Sequence, residues 1–212
     1  YRVNVFGFFA HPDLEAETPE HVSGNYGILD QLFALKWVRE NIAAFGGDPD
    51  KVTIAGQSAG CMSVQALVSS PLSKGLLRGA ILQSGGGLRA HHETAQKEQL
   101  WDVSRRLMEH LGCETIAQLR QVPWGKLRDA AYAVQGEGLG WTPPVDGWLL
   151  PATTDALAEA GAIHDIPYMI GSTGNDIGDG KLLQESGARW CENLLKLGRT
   201  PAWFYYFDRK LP

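Results

Sequence analysis

The stretch FGGDPDKVTIAGQSAGCMSV, Phe45 to Val64, carries an abrupt change of periodicity. KVTIAG is short, apolar and β-branched and so predicts a strand, whereas AGCMSVQALVS after Ser58 predicts a helix that runs until Pro71. Between the two stands a serine in the frame Gly56-Gln57-Ser58-Ala59-Gly60. A chain that leaves a strand and enters a helix within a few residues is crowded, and positions without side chains on either side of the serine relieve the crowding. The serine is then held strained at the strand's end with its hydroxyl raised, and the N–H of Ala59 points outward from a helix N-terminus. The five-residue pattern is common by itself. Its place at a predicted strand-to-helix junction is what connects it to nucleophilic chemistry.

Outward from this corner the same alternation repeats. Upstream, YRVNVFGFF predicts a buried strand interrupted at Gly7, and HPDLEAETPEHVSGN predicts a loop. Ile28, Leu32, Leu35, Val38, Ile42 and Phe45 recur at intervals of three and four, predicting a long amphipathic helix stopped by Gly46 and Gly47. Downstream, Ala80 to Gln83 predicts another strand. Leu100, Val103, Leu107 and Leu111 then mark a helix within Leu88 to Gly140, a region free of strand signals that reads as a helical insertion over one end of the sheet. IPYMIGS, LLQESGARWCENLLKLG and AWFYYFD close the chain as strand, helix and half-buried strand. Strands alternating with helices predict a single α/β domain: a mostly parallel sheet with helices on both faces.

Bulk composition narrows the partners. The 212 residues are 44% hydrophobic and 20% charged with a net charge of −5, and no basic cluster stands ready for nucleic acid or an anionic membrane. No apolar run approaches the length of a membrane span. A small neutral ligand is the expected partner. The three cysteines, Cys61, Cys113 and Cys191, form no Cys-x-x-Cys and read as buried free thiols in a reducing compartment, which favours the cytoplasm. His91 and His92 match no zinc spacing, and the glycine groups at Gly85 and Gly136 lack the spacing and lysine of a phosphate loop. No metal and no cofactor are expected.

The block GNYGILDQLFALKWVRENIAAFGGDPDKVTIAGQSAGCMSV resembles the signature of the type-B carboxylesterases, the α/β-hydrolase family that includes bacterial p-nitrobenzyl esterases and the cholinesterases. GAILQSGG and PPVDGWLLP fall where that family has similar segments, so the likeness runs through nearly the whole chain. The resemblance implies a partial α/β-hydrolase fold and ester hydrolysis through an acyl-serine at Ser58, with the Ala59 N–H as an oxyanion donor. It implies an acid at Asp176: with Gly171 of YMIGSTGNDIGDG set on the family's Gly-x-x-x-Asp-Glu-Gly segment, Asn175 takes the aspartate position and Asp176 that of the acid, while Ile177 replaces the last glycine. Asp179 is the neighbouring competitor, and a turn-capping role is the alternative for Asp176. Ser84 corresponds to a serine that supports the triad, or is simply a strand-end turn residue. Gln57 stands where cholinesterase-like members carry glutamate, which implies less pull on cationic esters.

A serine hydroxyl needs an imidazole to accept its proton, and the family order is serine, acid, histidine. The six histidines are His11, His21, His91, His92, His110 and His164, and none follows Asp176. His164 beside Asp165 is poorly placed as a base, because neighbours on an extended segment point to opposite faces. The family's histidine falls just after the strand that AWFYYFDRKLP resembles, and its glycine-rich oxyanion segment precedes the strand that YRVNVFGFF resembles. The chain therefore reads as an internal fragment, expected to hydrolyse esters poorly alone. Competing expectations are a binding or adhesion protein on the same fold, or a thioesterase or acyl transferase using the same groups.

Overall fold

The computed structural model describes residues 1–90, 94–136, 140–176 and 180–209. The chain forms two compact units, one of Tyr1–Gln31 with Thr94–Ala152 and one of Leu32–Glu93 with Thr153–Pro212. In chain order the helices are α1 (Val5–Phe8), α2 (Pro12–Glu15), α3 (Tyr26–Asn41), α4 (Ala59–Ser69), α5 (Lys97–Leu111), α6 (Ile116–Leu119), α7 (Trp124–Val134), α8 (Thr154–Glu159) and α9 (Lys181–Lys196). The strands are β1 (Thr53–Gln57), β2 (Gly79–Gln83), β3 (Tyr168–Thr173) and β4 (Ala202–Phe207).

The second unit holds the sheet. Its order is β1-β2-β3-β4, parallel throughout, with Ile54 beside Ala80, Ala80 beside Tyr168 and Tyr168 beside Ala202. Parallel neighbours need a crossover between them, and α4 supplies the one from β1 to β2. One sheet face carries Ala80, Leu82, Tyr168 and Ile170 into a core with Cys61, Val64 and Val68 of α4 and Trp190 and Leu194 of α9. The rings of Tyr168 and Trp190 meet edge to face at 5.5 Å. On the opposite face Met169 and Trp203, paired in register, are 45% and 56% exposed. The aromatic alternation of β4 does not produce the half-buried strand expected of it: Trp203, Phe204, Tyr206 and Phe207 are all exposed, because β4 is an edge.

The first unit is helical. Its core gathers Val5, Phe8, Ile28, Leu100, Leu107, Ala131 and Trp141. Gln96 and Gln99 cap the start of α5 reciprocally, and Gly112 in the left-handed conformation (φ 68°) ends it. The strand expected at YRVNVFGFF is not formed. Asn4 turns the chain at φ 53° and its side chain accepts the N–H of Val5, which starts the helical turn α1 instead. The long helix appears as expected, ending in a 3-10 turn at Ile42–Phe45 and Gly46 at φ 83°. Of its apolar stripe Ile28 and Leu32 are buried, while Phe45 is 72% exposed.

Candidate active site

Ser58 sits at the junction of β1 and α4 with φ 54° and ψ −120°, a conformation that residues with a Cβ rarely adopt. Hydrogen bonds hold it on both sides. Its N–H donates to the carbonyl of Gln83 at the end of β2 (2.9 Å), and its own carbonyl accepts the N–H of Met62 (3.1 Å) in the first turn of α4. The corner is tight because Gly56 lies against the next turn: a Cβ there would come 2.2 Å from the oxygen of Gly60. Gly60 differs, since a Cβ on it would meet nothing within 4 Å. Of the two flanking glycines, close approach demands only the first. Ala59 opens α4 and is exposed, so its N–H belongs to the donors that a helix leaves without an internal partner.

Beneath Ser58 lies the loop that follows β2. A Cβ on Gly85 would fall 2.6 Å from the oxygen of Ser58, and one on Gly86 would fall 2.8 Å from Sγ of Cys61. Ser84 is itself held at φ 51°, its N–H donating to the carbonyl of Gly171 (2.9 Å). Gln65 of α4 fastens this loop with a buried amide: Gly87 N–H donates to Oε1 (2.9 Å), and Nε2 donates to the Gly87 carbonyl (3.2 Å) and to Thr154 Oγ1 (3.3 Å). The sequence reading missed Gln65 and Gly85. Three glycines in a row after a strand were their one signal, and it read as an ordinary loop. Cys61 is a packing thiol, as expected from its place on the helix, and burial pushes it up to about 12.

Asp176 follows the end of β3. Its Oδ2 accepts the N–H and the hydroxyl of Thr173, both at 3.2 Å, so the carboxylate is tied back to the strand end. Ser58, Ser84 and Asp176 therefore leave the carboxyl ends of three adjacent parallel strands, where open α/β sheets place their ligands. Strand β2 lies between β1 and β3, so two strand spacings, roughly 10 Å, separate the strand that leads to Ser58 from the strand that leads to Asp176. The sheet thus leaves room for a bridging ring between hydroxyl and carboxylate. His164 is not that ring: it precedes β3, its Nε2 is bonded to Oγ of Ser73 (2.8 Å), and its N–H donates to Val68 (2.9 Å). Gln57 is exposed beside Ser58. Asp179, Ile177, His91 and His92 lie outside the described residues. No group of three or more metal-ligating side chains occurs among the described residues, and no described helix is long and apolar enough to cross a membrane.

Comparison with known proteins decides the lineage. Residues 1–189 match the family described as "Carboxylesterase family". The chain belongs to that family. Among carboxylesterase relatives, it is 39% identical to the fumonisin B1 esterase of Sphingopyxis macrogoltabida over 83% of this chain and 32% of that protein. It is also 39% identical to the para-nitrobenzyl esterase of Bacillus subtilis (strain 168), over 82% of this chain and 35% of the relative. The solved Geobacillus stearothermophilus carboxylesterase EST55 superposes with a TM-score of 0.81 at 32% identity, over all of this chain and 54% of that one. The chain thus spans about a third of its curated carboxylesterase relatives and about half of the solved one. Its parallel sheet with packed helices is a partial α/β-hydrolase fold, as the sequence led us to expect.

Proposed function

We propose that this chain carries the nucleophile and the acid of a carboxylic ester hydrolase, with Ser58 and Asp176 in those roles. The observation that supports it is the strained backbone of Ser58 at the carboxyl end of β1, kept in place by the contact between Gly56 and Gly60. Oγ of Ser58 attacks the ester carbonyl and passes its proton to an imidazole, while the Ala59 N–H donates to the oxygen that becomes negative. Collapse expels the alcohol, which takes the proton back. Water then attacks the acyl-serine, its proton passing to the imidazole, and the acid leaves as the serine is restored. Asp176 orients the imidazole and stabilises its charged form. His164 does not supply that imidazole, since it precedes β3 and its Nε2 is bonded to Oγ of Ser73.

The substrate is a small neutral ester. Gln57 places an amide, not a carboxylate, next to the nucleophile, so the site has no charge there to draw a cationic ester. Gln57→Glu is expected to raise the rate on a cationic ester relative to its neutral isostere. Labelling with a fluorophosphonate, in the presence of added imidazole and with Ser58→Ala as control, tests the nucleophile. Modification mapped to Ser58 is the expected result. A folded chain that remains unmodified would overturn the assignment and favour a binding protein on the same fold.

A further inference from the structure

Among the described residues, strand β4 has β3 on one side and no strand on the other. Its pairing with β3 fixes which peptide groups meet the open edge. The carbonyl of Phe207 accepts the N–H of Gly174 (2.9 Å), so by the alternation of a parallel ladder Trp203, Tyr205 and Phe207 turn their peptide groups to β3. Those of Ala202, Phe204 and Tyr206 face outward. Side chains alternate as well. A Cβ on Gly187 of α9 would fall 2.8 Å from the ring of Phe204, which puts Phe204 and Tyr206 on the face that α9 covers and Trp203, Tyr205 and Phe207 on the opposite face.

Folded chains commonly blunt such an edge with a lysine, a proline or a bulge. AWFYYF holds neither lysine nor proline, and its register with β3 is unbroken. Trp203, Phe204, Tyr206 and Phe207 are 40–57% exposed. A strand that continues the sheet antiparallel must set residues of the same face opposite each other. With Tyr205 on a two-fold axis, Trp203 meets Phe207 of a second copy and Phe204 meets Tyr206, so all four exposed rings pair. An axis at Phe204 would instead leave Phe207 beside Pro201. About half of a ~200 Å² surface is exposed on each ring, roughly 400 Å² a copy. Two copies with their strand edges then bury about 1,000 Å², the lower bound of a specific interface. No charge lies within the facing segment, so the axis opposes no like charges there. The other edge, β1, offers only Thr53, Ala55 and Gln57 as exposed side chains, and pairing β4 with it would not close. We propose that β4 pairs antiparallel with β4 of a second copy of this chain, joining two four-stranded sheets into one.

Sedimentation velocity of the 212-residue chain between about 1 and about 200 µM tests the pairing. An interface this small predicts a monomer–dimer equilibrium with a dissociation constant on the order of 10 µM. Two double variants with equal loss of ring area test the register. Trp203→Lys with Phe207→Lys sets lysine against lysine across the axis, and Trp203→Lys with Phe207→Glu sets lysine against glutamate. The second should dimerise about tenfold more tightly than the first. Within one copy the two positions are about 13 Å apart along the strand, too far for the contrast to arise there. Should either variant fail to fold, the concentration series of the native chain decides alone. Growth beyond the dimer or no difference between the variants would overturn the proposal. So would a native chain that stays monomeric throughout, which would leave the edge to a strand of another polypeptide.

Discussion

The α-carbon of Gly56 faces the carbonyl oxygen of Gly60 across the turn at Ser58, so closely that a methyl group on it would end 2.2 Å from that oxygen. Backbone cannot move aside there without dragging the start of α4. Gly56→Ala should cost about 3 kcal/mol or more of stability, the upper range for forcing a methyl into a filled space. Gly60 is helical and open, so Gly60→Ala should be neutral or stabilise by up to ~1 kcal/mol. Urea unfolding of the two variants checks the contrast. Equal losses would mean that the turn is crowded on both sides.

The strain at Ser58 predicts a gain as well as a loss. Ser58→Gly should stabilise the chain by about 1 kcal/mol, because glycine takes φ 54° and ψ −120° without penalty. Ser58→Ala keeps its Cβ and should not. The midpoints of chemical unfolding for these two variants separate strain from the loss of the hydroxyl, and both should abolish fluorophosphonate modification.

Gln65 holds the peptide of Gly87 by both of its polar groups. Gln65→Leu removes these bonds and strands a buried N–H and a buried carbonyl, which should cost about 1–3 kcal/mol. With the loop released, Gly85 no longer supports the carbonyl of Ser58, so the labelling rate at Ser58 should fall further than the unfolded fraction accounts for. A labelling rate that tracks stability alone would reduce Gln65 to packing.

Burial lowers the His164 imidazole from its ordinary 6.5, against the smaller raising effect of the Ser70 backbone, and its Nε2 bonds the fully buried Ser73 hydroxyl. A histidine whose folded value is lowered is held neutral, so its contribution is complete above about 6.5 and is lost as the pH falls from there through the folded value. Stability should therefore decline below pH ~6.5 in the native chain, and less steeply in His164→Asn. Unfolding midpoints between pH 5 and 8 provide the measurement. Parallel profiles would place the acid sensitivity in another group.

Much of this was legible in the residues. Periodicity located α3, α4, α5 and α9 and all the strands of the sheet, because each is one unbroken apolar pattern between turn residues. The corner at Ser58 followed from glycine spacing at a strand-to-helix junction. The failures have local causes. YRVNVFGFF has the composition of a strand, but Asn4 offers Val5 a side-chain acceptor and the chain turns. The exposure of β4 depends on which strand is the edge, and composition does not record that. Gln65 and Gly85 work through contacts with residues distant in sequence, so no window of a few residues could have revealed them.

The grip of Gln65 on Gly87 sets the boundary of what an engineer could exchange. Residues 84–88 cannot be swapped as a cassette, because their geometry is dictated from the second turn of the neighbouring helix. A graft taken from another member would have to include the donor's residue at position 65, so that part of the scaffold and the loop travel as one inherited piece.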